Sequence, residues 1–279
     1  MIRLIGIDID GTLLDSQGRL SDENVAAIAE AVSAGVHVAL VTGRSYPWAR
    51  PVAERLPEAV TLIVSNGAVE RLKDGSTVVR RLLKAEVARD VLLGTTALRA
   101  STALIFDRDH DRQMVFETMD WEHPDRRGYY ARNAHLIAHH APLEAALTED
   151  PIQVMFNGDV EPMRELTDGL RSRAVGYAVS LTEYPDRNFS LVDVTAPEAT
   201  KGQALAWKAA QLGLEREAVM AIGDNFNDLE MLEMAGLPVV MANAVSTLKA
   251  RGWAETSSHD ASDRKSTRLN SSHTDISRM

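Results

Sequence analysis

Two acidic residues close a short apolar run near the start of the chain, in Ile5-Gly6-Ile7-Asp8-Ile9-Asp10-Gly11-Thr12. Residues 3–9 read as a buried parallel strand, rich in β-branched side chains and nearly continuous in apolar character. Asp8 and Asp10 stand at its C-terminal end, and Gly11 follows as a tight turn. Two acids closing an apolar strand are costly unless something there needs negative oxygen ligands. A hard divalent cation with a phosphate beside it meets that need. An acidic turn on a surface is the plainer alternative.

The following segments repeat a strand–helix–strand rhythm. Residues 21–34 have Ser21 as N-cap, with Val25, Ile28, Ala29 and Val32 on one helical face and Gly35 as the stop. Residues 36–41 form a second buried strand, ending in Thr42-Gly43-Arg44 with a helix to follow. A third strand over 60–64 ends in Ser65-Asn66-Gly67-Ala68. This order predicts a doubly wound parallel α/β sheet, whose right-handed crossovers bring all the strand ends to one edge.

From about residue 84 to 187 the rhythm changes. Short strands over 102–106, 113–117, 152–156 and 177–181 alternate with helices over 142–147 and 161–172, which predicts an inserted α+β domain. Residues 188–194 then read as a strand of the first domain and 201–212 as a helix, with Lys208 facing solvent. A strand over 218–222 delivers Gly223-Asp224-Asn225-Phe226-Asn227-Asp228, a helix carries Leu229 and Leu232 inward, and 237–241 is the last strand. The expected division is therefore a core of 1–83 and 188–256, an insert of 84–187, and a tail of 257–279. Seven of the nineteen residues in 261–279 are Ser or Thr and apolar periodicity is lost, so the tail is expected to be disordered or a non-native, frameshifted end.

Bulk properties exclude several chemistries. The chain has 279 residues, no cysteine and a formal net charge of -10. Disulfides, thiolate metal sites and cysteine nucleophiles are thereby ruled out, and the balance disfavours binding to nucleic acid or a membrane surface. No signal pattern or spanning apolar run is present, which makes a cytoplasmic protein, monomeric or weakly dimeric, the expectation.

Each remaining motif has a plain reading beside a chemical one. Asp8 can attack phosphorus as a nucleophile. Asp10, two residues on along an extended chain and so on the same side, can act as acid and base. Thr12 helps hold the turn. Thr42 and Gly43 at a helix start either cap that helix or cradle a phosphate. Arg44 points to substrate or to solvent. Lys201 opens a helix, where its charge opposes the dipole, so it is either a solvated surface lysine or a clamp on an anion. Asp224 and Asp228 suit a helix start as caps. With Asn227, and together with Asp8 and Asp10, they also supply the oxygen-rich, histidine-free set preferred by Mg²⁺. His139-His140 has no carboxylate at ligand spacing, and Trp121-Glu122-His123-Pro124 reads as a packed loop.

In order, Asp8-x-Asp10-Gly-Thr, Thr42-Gly-Arg, Lys201-Gly and Gly223-Asp224-x-x-Asn227-Asp228 resemble the four motifs of the haloacid dehalogenase-like phosphohydrolases. Ser65-Asn66-Gly67 and the insert between the second and third motifs resemble the Cof-type branch, whose cap is an α+β domain. The resemblance covers about residues 1–256. It implies that Asp8, the backbone carbonyl of Asp10, and Asp224 hold Mg²⁺, with Asp228 as a further or outer ligand. It further implies a phosphatase that takes small phosphate esters, sugar phosphates or flavin- or pyridoxal-type phosphates, through an aspartyl phosphate. Asp8, Asp10 and Lys201 are the expected catalytic residues. Thr12, Thr42, Gly43, Arg44, Asn66 and Asn227 are expected around the phosphate and substrate. A phosphomutase with the same intermediate, and a binding protein without turnover, are the rival readings.

Overall fold

The computed structural model describes residues 1–108 and 112–261. The chain divides into two compact units. One comprises Met1–Arg80 and the segment from Thr200 onward, and the other Arg81–Ala199.

In the first unit, β1 (Leu4–Ile7) leads to α1 (Asp22–Ser33), β2 (His37–Val41), α2 (Tyr46–Ala53), β3 (Thr61–Val64) and the antiparallel strands β4 (Val69–Arg71) and β5 (Thr77–Arg80). Ser21 caps α1 by accepting the Asn24 amide, and Ile28 is buried as the periodicity requires. β1, β2 and β3 are parallel, and their residues are almost wholly buried, as strands covered on both faces must be.

The second unit contains α3 (Ala85–Gly94), β6 (Thr102–Ile105), β7 (Met114–Phe116), α4 (Pro124–Asn133), β8 (Ile137–His139), β9 (Gln153–Gly158), α5 (Val160–Arg171), β10 (Ala178–Tyr184) and β11 (Phe189–Thr195). Its six-stranded sheet has the order β10-β11-β9-β6-β7-β8, antiparallel except between β7 and β8. Residues 142–147 form only a short 3-10 turn, Leu143–Ala146, instead of the expected helix.

The strand expected in the core at 188–194 belongs to this second sheet. β11 pairs antiparallel with β10 from Ala178↔Thr195 to Tyr184↔Phe189 and with β9 on its other side. The reason is local: Pro185–Arg187 and Asn188, at φ 47, make a tight reversal that folds β11 back on β10. The strand over 188–194 is present as expected, but a strand's own residues do not name its partner. The units accordingly meet in sequence at 80/81 and 199/200, where 83/84 and 187/188 were expected.

The chain completes the first unit with α6 (Lys201–Gln211), β12 (Val219–Gly223), α7 (Leu229–Met234), β13 (Leu237–Met241), α8 (Ser246–Lys249) and β14 (Ala254–Thr256). The eight-stranded sheet then reads β14-β13-β12-β1-β2-β3-β4-β5. The winding runs outward from β1 to β3, then returns to the other side of β1 and runs outward again. β1 is thus the switch point, the place where open α/β sheets bind ligands beyond their strand C-termini.

The first five residues of the expected tail are part of the fold. Residues 257–261 are tied down: Asp260 accepts the Ser16 amide, and the His259 amide donates to Asn243. The remainder of that expectation falls on 262–279, outside the described residues.

A Cβ built on Gly202 would lie 2.6 to 2.8 Å from the Cβ, carbonyl carbon and oxygen of Glu230, so α6 approaches the α7 backbone only because that position has no side chain. Gly202→Ala should cost roughly 1–3 kcal/mol by overpacking. Gly169→Ala, inside α5 with nothing within 4 Å, should instead stabilise by about 0.5–1 kcal/mol. Thermal melts of the two variants should move in opposite directions, and equal shifts would refute the close approach.

Candidate active site

The site is assembled where strands end. Asp8 directly follows β1, and its amide still donates to Ile222 of β12 at 3.0 Å, which carries the parallel ladder one step further and fixes the Asp8 backbone. Thr42 follows β2, Ser65-Asn66-Gly67 follow β3, and Asp224 follows β12. Because these strands are parallel, all four loops lie on one edge.

Lys201 is not a solvated surface lysine. Thr200 caps α6 by accepting the Gln203 amide, which places Lys201 as the first helical residue with 1% of its surface exposed. Its Nζ donates to Asp8 Oδ1 at 2.6 Å and to Asp228 Oδ1 at 2.7 Å. Burial alone pushes its ammonium towards neutrality. The attraction of Asp228 and Asp8 outweighs that and raises its pKa above the usual lysine value.

Asp228 organises the loop it belongs to. Its Oδ2 accepts the amides of Asp224 at 2.9 Å and Asn225 at 3.0 Å, while Oδ1 takes Lys201. A Cβ on Gly223 would meet this carboxyl at 2.6 Å, so a glycine is required there. Asp224 receives the Thr12 hydroxyl at 3.0 Å and lies so near Gly11, at φ 80, that a Cβ on Gly11 would come within 2.3 Å of it.

Asp8, Asp224 and Asp228, all buried, each offer a carboxylate oxygen within 4.8 Å of the others. Burial raises the Asp8 carboxyl well above the ordinary range; Lys201 opposes this and Asp228, Asp224 and Asp10 add to it. Burial, reinforced by Asp228, likewise pushes Asp224 up to about 7. A set of crowded carboxylates with no thiolate or imidazole, held by one ammonium, still has an excess of negative charge. That donor chemistry fits a hard divalent cation.

The Asp10 side chain is outside this set. Both its oxygens take the guanidinium of Arg44, Oδ2 from Nε at 2.7 Å and Oδ1 from Nη2 at 2.6 Å. The expected metal role of Asp10 therefore does not extend to its carboxylate here, and Arg44, expected at the substrate, is engaged with Asp10. Thr42 is buried and its Oγ1 accepts the Arg44 amide. Asn66, at φ 53, accepts the Asn227 side-chain amide at 3.1 Å, which ties the loop after β3 to the loop after β12. Gly43 keeps that place open, since a Cβ there would stand 3.2 Å from Asn66 Oδ1.

Two further contacts carry no sequence signal, and the first of them supports the site. The Asn243 side-chain amide donates to the Gly11 carbonyl at 2.8 Å and itself accepts the His259 amide. Lys208, expected to face solvent, is mostly buried and donates to Glu70 of β4 at 2.8 Å. Helical periodicity could not reveal that, because β4 and its hairpin were not foreseen.

A family model described as haloacid dehalogenase-like hydrolase matches residues 5–263. The 5-amino-6-(5-phospho-D-ribitylamino)uracil phosphatase of Bacillus subtilis is 30% identical over 249 residues, 89% of this chain and 87% of that protein. The pyridoxal phosphate phosphatase of Escherichia coli is 29% identical over 264 residues, 89% of this chain and 91% of that protein. A haloacid dehalogenase-like hydrolase of B. subtilis shares the fold, with a TM-score of 0.77 at 23% identity over 93% of this chain and 96% of that one. The chain belongs to the haloacid dehalogenase-like hydrolases, within which these relatives are phosphoric monoester hydrolases.

Two outcomes follow from the charges. Lys201→Met strands two buried carboxylates, so the metal-free protein should lose about 3–5 kcal/mol, while exposed Lys249→Ala should stay within about 0.5 kcal/mol. Denaturant melts of both variants check this. The second concerns pH. Asp224 binds its proton more tightly folded, at about 7, than unfolded, near 3.8, so the folded form holds more protons between those values. Its contribution therefore favours the metal-free fold below pH 4 and is lost as pH rises through 7. In chelator, wild type should gain stability relative to Asp224→Asn as pH falls across that window. Excess Mg²⁺ should abolish the gain, and a flat difference would contradict the crowding.

Proposed function

We propose that this chain is a Mg²⁺-dependent phosphatase that hydrolyses small phosphorylated metabolites through an aspartyl phosphate on Asp8. The observation that carries the reading is the buried Lys201 bridge between Asp8 and Asp228, beside Asp224, at the switch point of the sheet. Asp8, Asp224 and Asp228 are the residues that would hold Mg²⁺, with both oxygens of Asp228 already committed to Lys201 and the loop amides. When bound, the cation neutralises the phosphoryl oxygens and the crowded acids.

Asp8 is the nucleophile, since its carboxylate closes β1 with its backbone fixed and one oxygen oriented by Lys201. Lys201 holds that orientation and supplies a fixed positive charge where the equatorial phosphoryl oxygens gather charge. Thr42, Gly43, Asn66 and Asn227 form the neutral hydrogen-bonding side of the phosphate site. Asp10 gives its proton to the leaving oxygen and then accepts one from the water that attacks the aspartyl phosphate. The named relatives act on a ribitylamino-uracil phosphate and on pyridoxal phosphate, which supports ring-bearing metabolite monoesters as the first substrates to try.

The test is inorganic phosphate release over a panel of such esters. Wild type should turn over with Mg²⁺ and stop in excess chelator. Asp8→Asn keeps an oxygen for Lys201 and should stay folded while turnover falls by about three orders of magnitude or more. A folded Asp8→Asn protein with near-normal turnover would remove the nucleophile from the reading. Tight binding of one ester without phosphate release would turn it into a binding protein.

A further inference from the structure

Resting on that phosphatase reading, we infer that Arg44 is the positioning residue of the acid–base Asp10 and not a ligand of the substrate phosphate. The guanidinium offers its Nε–Nη2 edge, the one suited to bidentate capture of a carboxylate or phosphate, and Asp10 takes it with both oxygens at 2.7 and 2.6 Å. The fork is fixed from behind as well. Nη1 donates to the Trp48 carbonyl at 3.1 Å, the Arg44 amide donates to Thr42 Oγ1 at 3.1 Å, and the Arg44 carbonyl accepts the Ser65 amide at 2.8 Å.

The pair has little to do with stability. Its side chains are 26% and 44% exposed, and exposed ion pairs of this kind contribute at most about 1 kcal/mol. What the fork supplies is direction. Asp10 precedes Gly11 in a reversing turn, and the Arg44 fork selects the rotamer of its carboxylate. Two parallel N–H···O bonds fix the carboxylate plane and occupy one lone pair on each oxygen. The remaining lone pair of each oxygen is left for a proton that must pass to the substrate and back.

The two half-reactions then balance. As Asp8 Oδ bonds to phosphorus, the P–O bond to the leaving group breaks and the leaving oxygen takes the proton of Asp10, producing an alcohol and a carboxylate held by Arg44. As water bonds to phosphorus, the P–O bond to Asp8 breaks and Asp10 recovers a proton from that water, releasing phosphate. Arg44 acts on the first half only through Asp10, so its importance must follow the leaving group's need for a proton.

Two probes separate this from phosphate binding. Benzyl phosphate releases an alkoxide-like oxygen that needs protonation, whereas para-nitrophenyl phosphate releases a stable phenolate that does not. Single-turnover release of each leaving group is measured with enzyme in excess and Mg²⁺ saturating, so that hydrolysis of the aspartyl phosphate does not enter. Arg44→Gln should slow benzyl alcohol release by about 100-fold, the low end of general-acid effects, and para-nitrophenolate release by less than about fivefold. Arg44→Lys keeps the charge but not the fork and should show the same split. In an Asp10→Asn background, Arg44→Gln should have little further effect, as expected for one unit of function.

Equal losses on both probes with raised KM would make Arg44 a phosphate ligand and overturn the inference. So would unchanged rates on both, which would leave the ion pair idle. Wild-type enzyme that releases neither leaving group would instead overturn the phosphatase reading itself. Melting curves of the Arg44 variants, expected within about 1 kcal/mol of wild type, exclude misfolding as the cause.

Discussion

An ammonium buried between two carboxylates holds this site together. Lys201 sits at the start of α6, where the helix dipole disfavours a cation, with 1% of its surface exposed. Neither condition is tolerable for an isolated charge. Its contacts to Asp8 after β1 and Asp228 before α7 make it tolerable, and they bind three separate elements to one point. Close backbone approaches follow from this convergence. Gly202 lets α6 reach the α7 backbone, Gly223 lets the β12 loop close over the Asp228 carboxyl, and Gly11 lets the first loop pass Asp224. Asp8 and Asp224 resist ionisation chiefly because they are buried, and the neighbouring acids, which one cation does not neutralise, add to that.

The parallel sheet makes that convergence possible from residues far apart in sequence. β1 lies between β2 and β12, and each of these strands ends on the same edge. Asp8 and Lys201 are separated by 193 positions and are nonetheless 2.6 Å apart. The second unit interrupts the chain between β5 and α6, and the sheet of the first unit closes across the interruption because β12 pairs directly with β1. The hydroxyl of Thr12, the side chain of Asn243 and the turn at 257–261 secure the first loop from the far side of the sequence.

What could be read in advance was what is local. The strand before Asp8, the cap at Ser21 and the strand over 237–241 depend on neighbours in sequence, and the structure has them where patterning put them. Asp224 and Asp228 stood out because two acids exceed what a helix cap needs. The partners of charged side chains were not legible. Lys208 looked like a solvent-facing helix residue because the hairpin strand bearing Glu70 was not foreseen. Arg44 looked like a substrate residue because nothing in Thr42-Gly43-Arg44 says that Asp10, 34 positions earlier, will accept its fork. β11 was recognised as a strand and given to the wrong sheet, since pairing depends on the reversal at 185–188 more than on the strand's own residues.

On the proposed phosphatase reading, Asp8 and Asp10 make one strand end serve two different chemical needs. They are two residues apart just beyond β1, yet the side chain of Asp8 is 6% exposed and that of Asp10 is 44% exposed. A nucleophile gains from dehydration if a fixed cation holds its charge, and Asp8 has Lys201 on one oxygen and lies beside Asp224 and Asp228. A group that must deliver and recover a proton needs access to the leaving oxygen and to water, and Asp10 keeps that access while a side-on guanidinium limits its motion. Exchanging the two partners would defeat both. A bidentate fork on Asp8 would occupy the lone pairs that attack phosphorus, and burying Asp10 beside an ammonium would seal it from its proton acceptor. The isoleucine between them is fully buried and anchors the turn at which the two environments divide. On that reading, identical side chains acquire opposite roles through their surroundings alone.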